Sequence, residues 1–182
     1  MIIFKKYGHY GKICYNIMCC ILCKYRYWGD CLKIYIDADG CPVVNLTINI
    51  AAEFNIETVI VADTSHFFDI ENPLVTTHTV SKGSDSSDFA IISRCGKGDI
   101  VITQDYALGA MCLSKGAYPI NQNGRLYTDE NIDMLLMQRH ISKKIRNVGG
   151  KSHHIPKRTK AQDEAFKSAL MALLDKLLLT KE

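Results

Sequence analysis

Leu32-Lys33-Ile34-Tyr35-Ile36-Asp37-Ala38-Asp39-Gly40-Cys41-Pro42 joins an apolar run, a pair of acids and a helix start. Leu32 to Ile36 has the character of a buried strand. It ends at an acidic turn, and Pro42 suits the first turn of a helix. Val43 to Phe54 reads as that helix, with Val44, Ile48 and Ala51 or Ala52 on one face. Asp37 and Asp39 are two apart, so in extended chain both side chains point the same way. Two neighbouring carboxylates repel, and a cation between them relieves the repulsion.

The same alternation continues downstream. Strands are expected over Glu57 to Ala62, Val75 to Val80, Asp99 to Thr103 and Ala117 to Ile120. Helices are expected over Asp85 to Arg94, with Phe89, Ile92 and Ala90 inward, and over Leu108 to Lys115, closed by Gly116. Asn123-Gly124 marks a turn, and Asn131 to His140 a further helix. Thr159-Lys160-Ala161-Gln162 is a capping box. It opens a last helix with Ala165, Phe166, Ala169, Leu170, Leu173, Leu174, Leu177 and Leu178 on one stripe. Strands alternating with helices predict one three-layer α/β domain, with a mainly parallel sheet between helices.

The chain of 182 residues suits one such domain, and its 47% apolar content excludes disorder as its general state. The net charge of +3 is unevenly spread. Residues 1–33 carry six Lys/Arg against one acid, and Arg139 to Lys160 carry eight Lys/Arg, three His and no acid. Five of the eight cysteines fall within the first 31 residues. Cys41, Cys95 and Cys112 in the body make no disulfide framework, which points to a reducing cytoplasm.

Residues 1–31 differ in character from the rest of the chain. Their apolar stretch, Ile13 to Cys23, is shorter than the roughly 20 residues a membrane helix needs. The tract reads as a poorly ordered extension or a start-site artefact, with a membrane-associated leader or a metal-binding tail as lesser alternatives. The domain is expected over residues 32–180, without stable membrane insertion and with no oligomeric state implied.

Acids recur at the expected turns. Asp85 and Asp88 are three apart, on one face of a helix near its N-terminus. Asp105 ends another apolar strand. Singly, each acid has a plain role as a cap or turn residue. Together, at one edge of a parallel sheet, Asp37, Asp39, Asp85, Asp88 and Asp105 describe a site for a hard divalent cation such as Mg2+ or Mn2+. A site of that kind can hydrolyse a phosphodiester.

Several motifs carry a resemblance: Asp37-Ala38-Asp39-Gly40-Cys41-Pro42-Val43, Lys82-Gly83-Ser84-Asp85-Ser86-Ser87-Asp88, Ile102-Thr103-Gln104-Asp105, Gly124 to Ile132, and the tail from Arg146-Asn147-Val148-Gly149-Gly150 through Asp163 and Phe166. Over about residues 33–179 the chain resembles the YaiI/YqxD family, bacterial proteins of uncertain function. That family resembles PIN-type nucleases in fold, which use clustered Asp residues to bind Mg2+ or Mn2+ and cut RNA or DNA. The resemblance implies that Asp37 is the first acidic position, Asp85 or Asp88 the middle one, and Thr103-Gln104-Asp105 the strand-end element. Asp37 and Asp105 are then the catalytic candidates.

Lys82, Arg146, Gly149, Gly150, Lys151, Lys157 and Arg158 are the candidates for phosphate contact. The glycines would allow close backbone approach and the basic residues charge neutralisation. The alternative for the basic segment, read as an ordered loop or arm, is a solvated linker. Three readings compete: a metal-dependent nuclease or phosphodiesterase, a phosphatase of the haloacid-dehalogenase type, and a non-catalytic RNA-binding protein. Cys41, two after Asp39, stands where that phosphatase class usually has Thr or Val.

Overall fold

Alternate residues of the central strands belong to opposite layers. Ile34 and Ile36 of β1 (Ile34–Asp37) pack on one face of the sheet, and Tyr35 on the other. The same parity divides Ile60 and Ala62 from Val59 and Val61 in β2 (Thr58–Asp63), and Ile100 and Ile102 from Val101 in β4 (Ile100–Ile102). Strands buried on both faces belong to parallel sheets covered by helices. The computed structural model, which describes residues 32–65, 70–83, 85–147 and 157–179, shows that arrangement. The sequence expectations for residues 1–31 lie outside the described residues.

With β3 (Val75–Val80) and β5 (Tyr118–Ile120), the strands form one five-stranded sheet of order β3-β2-β1-β4-β5. Every pairing is parallel. One layer is built by α1 (Val44–Glu53) and α5 (Lys160–Leu179), whose Ile48, Ile50, Phe166, Leu170 and Leu174 pack with Ile34, Ile36 and Ile102. The other is built by α2 (Ser86–Arg94) and α3 (Tyr106–Ser114) through Ala90, Ile91, Leu108 and Cys112. α4 (Asp129–Asn147) packs on α3, where Ile132 and Leu135 meet Tyr106, Ala110 and Leu113. Among the described residues no helix is long and apolar enough to cross a membrane.

The capping box forms as expected: the Thr159 N–H donates to Gln162 Oε1 at 2.9 Å, and the Gln162 N–H donates to Thr159 Oγ1 at 3.4 Å. Three expectations are corrected. Phe89 is 72% exposed and Ile91 takes the inward place. Ile91 lies four residues before the buried Cys95 and shares its face, whereas Phe89 lies two residues from Ile91 and so points away from that face. Leu178 is exposed, because α5's stripe leaves the sheet at Leu177. Finally, the first half of the basic segment is helix rather than loop. α4 runs on to Asn147, since Lys and Arg are good helix formers.

Candidate functional site

The chain reverses its direction of winding between β1 and β4. β1 leads to β2 and β3 on one side, and β4 to β5 on the other. At such a switch point the loops after the two central strands diverge and leave a crevice at the carboxyl edge. Asp37 ends β1 there, and Thr103-Gln104-Asp105 follows β4. An open pocket of about 330 Å³ lies at this edge, lined by Asp37, Asp39, Gly40, Gln104, Asp105 and Arg139.

Thr103, itself buried, links the two strands. Its hydroxyl donates to Asp37 Oδ2 at 2.8 Å and accepts the Asp105 N–H at 3.0 Å. Strand alternation explains the first bond, because Asp37 and Thr103 continue the parity of Tyr35 and Val101. Burial is the largest influence on Asp37 and lifts its pKa to about 6, against the Thr103 hydrogen bond, with the charges of Asp88, Asp39 and Asp105 adding to the rise.

Asp39 does not continue beside Asp37 as the extended reading expects. The chain turns at Asp39 and Gly40, where Gly40 has φ +74°, and Asp39 Oδ1 accepts the Asp63 N–H at 3.1 Å. Asp37 is thus tied to the segment after β4, and Asp39 to the end of β2. Gln104 Nε2 donates to the Gly40 carbonyl at 3.0 Å and ties the two loops.

Asp105 caps α3, accepting the N–H groups of Ala107 at 2.7 Å and Leu108 at 3.4 Å. Arg139 Nη1 donates to both of its carboxylate oxygens, each at 2.7 Å. Burial pushes the Asp105 pKa upward, but the hydrogen bond and charge of Arg139 and the two cap donors outweigh it and hold it below the usual carboxylate range. Asp88, in the first turn of α2, is raised by burial and then by the charges of Asp105 and Asp85. Asp85 precedes α2 at φ +63°, a left-handed conformation that Asp tolerates better than most residues.

Asp37, Asp39 and Asp105 thus line one pocket, with Asp88 near enough to raise Asp37 and Asp85 one step further out. Among the described residues no three His, Cys, Asp or Glu side chains close on a point as metal ligands. The donor chemistry nonetheless suits a hard cation, since every acidic group at the pocket is a carboxylate. Cys41 keeps its proton, since burial raises its pKa to about 11.

The expected phosphate contacts fare unevenly. Lys82 and Lys157 are exposed. Arg158 is engaged otherwise: Nε pairs with Asp163 at 2.6 Å, Nη1 with Asn123 at 3.1 Å, and Nη2 with the Gln122 carbonyl at 2.6 Å. It joins the start of α5 to the turn after β5. The side chain of Arg146, and Gly149, Gly150 and Lys151, lie outside the described residues. Arg139 is the site residue that sequence reasoning missed. It stood out only as one charge of a basic run, and its partner lies 34 positions away.

The fold and the pocket define a three-layer parallel α/β protein with an acidic crevice at the sheet's switch point. The family profile described as "Uncharacterized BCR, YaiI/YqxD family" matches residues 35–176, and the chain belongs to that family. It is 46% identical over 143 residues to a "UPF0178 protein" of Exiguobacterium sibiricum, covering 79% of this chain and 96% of the relative. It is 43% identical over 145 residues to one from Clostridium acetobutylicum (79% and 97%), and 45% over 148 residues to one from Alkaliphilus oremlandii (81% and 94%). No solved structure gives a significant match.

Proposed function

We propose that the protein is a metal-dependent phosphodiesterase acting on RNA or DNA, with Mg2+ or Mn2+ held by Asp37, Asp39, Asp88 and Asp105. One observation carries the reading. Asp37 is held by Thr103 at the switch point, in an environment that disfavours its charge, among three further acids that add to the penalty. Such a group costs stability in an otherwise well-packed domain, and a bound cation offsets that cost. A divalent cation supplies Lewis acidity, making water more acidic and neutralising a phosphate's charge.

The chain's own part is orientation. The Thr103 hydroxyl fixes Asp37, the Asp63 N–H fixes Asp39, and the two cap N–H groups fix Asp105. Hydrolysis forms one P–O bond from water and breaks one ester P–O bond, leaving a phosphomonoester and a hydroxyl. The pocket is open to solvent, and Arg139 of α4 supplies a basic side chain to its lining.

The test titrates Mg2+ and Mn2+ into the full chain and into Asp37→Asn and Asp105→Asn, following cleavage of labelled single-stranded RNA and DNA. The expected result is metal-dependent cleavage that falls on the order of a hundredfold in both variants. Metal binding lost in the variants, with no cleavage by any protein, would favour the binding role. A phosphoaspartate trapped on Asp37 would favour the phosphatase reading. No metal binding by the wild-type chain would sink the site.

A further inference from the structure

The two arginines near the pocket are used differently. Arg158 commits Nε, Nη1 and Nη2 to fixed partners, and its side chain is 19% exposed. Arg139 commits only Nη1, and its side chain is 49% exposed. Among the described residues its Nε and Nη2 make no hydrogen bond. Of the residues lining the pocket, Arg139 is the cationic one, and the amide donor of Gln104 is already taken by Gly40.

The placing of Nη1 is informative. An Arg–carboxylate pair usually matches two nitrogens to two oxygens. Here one nitrogen lies 2.7 Å from each oxygen of Asp105, equidistant between the two. A cation bound through both oxygens would also be equidistant from them. A cation and the guanidinium therefore compete for the same two oxygens, and their like charges repel.

We propose that Arg139 is an exchangeable counter-charge: it holds Asp105 until a divalent cation takes that carboxylate, and then binds the phosphate of the nucleic acid. The inference rests on the metal-site reading above. Guanidinium binds phosphate well through paired N–H donors, and two of Arg139's three nitrogens are uncommitted before the exchange. The arrangement keeps Asp105 neutralised in both conditions, and it makes Arg139 a substrate-positioning residue that responds to the cation.

The full chain is compared with Arg139→Gln and Arg139→Lys. Mn2+ binding is measured by calorimetry, and binding of a short fluorescent single-stranded RNA and its DNA counterpart is measured across salt concentrations with Ca2+ present. Arg139→Gln is expected to bind Mn2+ about two- to fivefold tighter, the size of a partly exposed ion pair removed. It is also expected to lose oligonucleotide affinity, with the slope of log affinity against log salt smaller by about one. Arg139→Lys should recover most of that slope.

Unchanged Mn2+ affinity and unchanged slope in Arg139→Gln would overturn the inference and make the contact a structural tie. Should that variant fail to fold, Arg139→Met, which keeps the aliphatic stem, carries the same comparison. Asp37→Asn separates the two levels. If it loses Mn2+ while Arg139→Gln behaves as wild type, the exchange fails and the site stands. If the wild-type chain binds no Mn2+, both fail.

Discussion

Asp37 sets the sharpest expectation at the scale of one residue. Its folded pKa, about 6, lies above the ordinary value of 3.8. Ionising it therefore costs folding free energy, and the stability it contributes at low pH is lost as pH rises from about 4 through 6. Asp37→Asn keeps an oxygen for the Thr103 hydroxyl and removes the charge. Without added metal the variant should be about 1–2 kcal/mol more stable than wild type at pH 7.5, the two converging near pH 4. Urea unfolding at both pH values measures this, and a less stable variant at pH 7.5 would count against the desolvated carboxylate. Asp37 and Asp105 were legible as site candidates because strand-end acids follow apolar runs that are plain in the sequence. Arg139 was not, since only the packing of α4 on α3 brings position 139 to position 105. Asp39's turn toward Asp63 was likewise hidden, because Gly40 breaks the extended geometry that the two-residue spacing assumed.

At the scale of elements, the contact between α3 and α4 supports the site from behind. Gly109 lies mid-helix in α3, where glycine normally costs about 1 kcal/mol relative to alanine. Its use is close approach: a Cβ there would meet Tyr127 Cδ2 at 2.8 Å. Tyr127 cannot easily retreat. Its ring makes an edge-to-face contact with Tyr106 at 5.7 Å, and its hydroxyl donates to the Thr103 carbonyl at 3.2 Å. Overpacking of this kind costs about 1–3 kcal/mol and exceeds the helix-propensity gain. Gly109→Ala should therefore lower stability by roughly 1–2 kcal/mol, and it should also weaken metal binding, because Tyr127 bears on the residue that holds Asp37. A thermal melt with a Mn2+ titration reads both, and a stabilised variant would show that Tyr127 is free to move. The apolar periodicity of α1 and α5 was legible in sequence, as was the capping box. The extent of α4 was not, since a polar, basic tract carries no stripe to mark a helix against a linker.

The whole molecule links these scales through charge. Beyond residue 33 the chain carries more acid than base, so attraction to a polyanion must come from local placement, with Arg139 lining the acidic crevice. The sheet order brings three acids to that crevice at the ends of two different strands, and the ionised Asp37 among them costs folding stability unless something binds there. A ligand that binds only the folded state stabilises it by mass action, by about 2.7 kcal/mol at one hundred times its dissociation constant. For a domain of this size each kcal/mol moves the midpoint by about 2–4 °C, so saturating Mn2+ should raise the melting temperature of the full chain by roughly 5–10 °C. Protons compete for the same carboxylates. Because Asp37 titrates near pH 6, the Mn2+-induced rise should be full at pH 8, reduced near pH 6 and almost absent at pH 4.5. A calorimetric scan across that range tests the expectation. A shift equal at pH 8 and pH 4.5 would place the ion away from Asp37, and a pH-dependent shift that survives Asp37→Asn would assign the dependence to Asp88, whose pKa is also raised by burial and neighbouring acids.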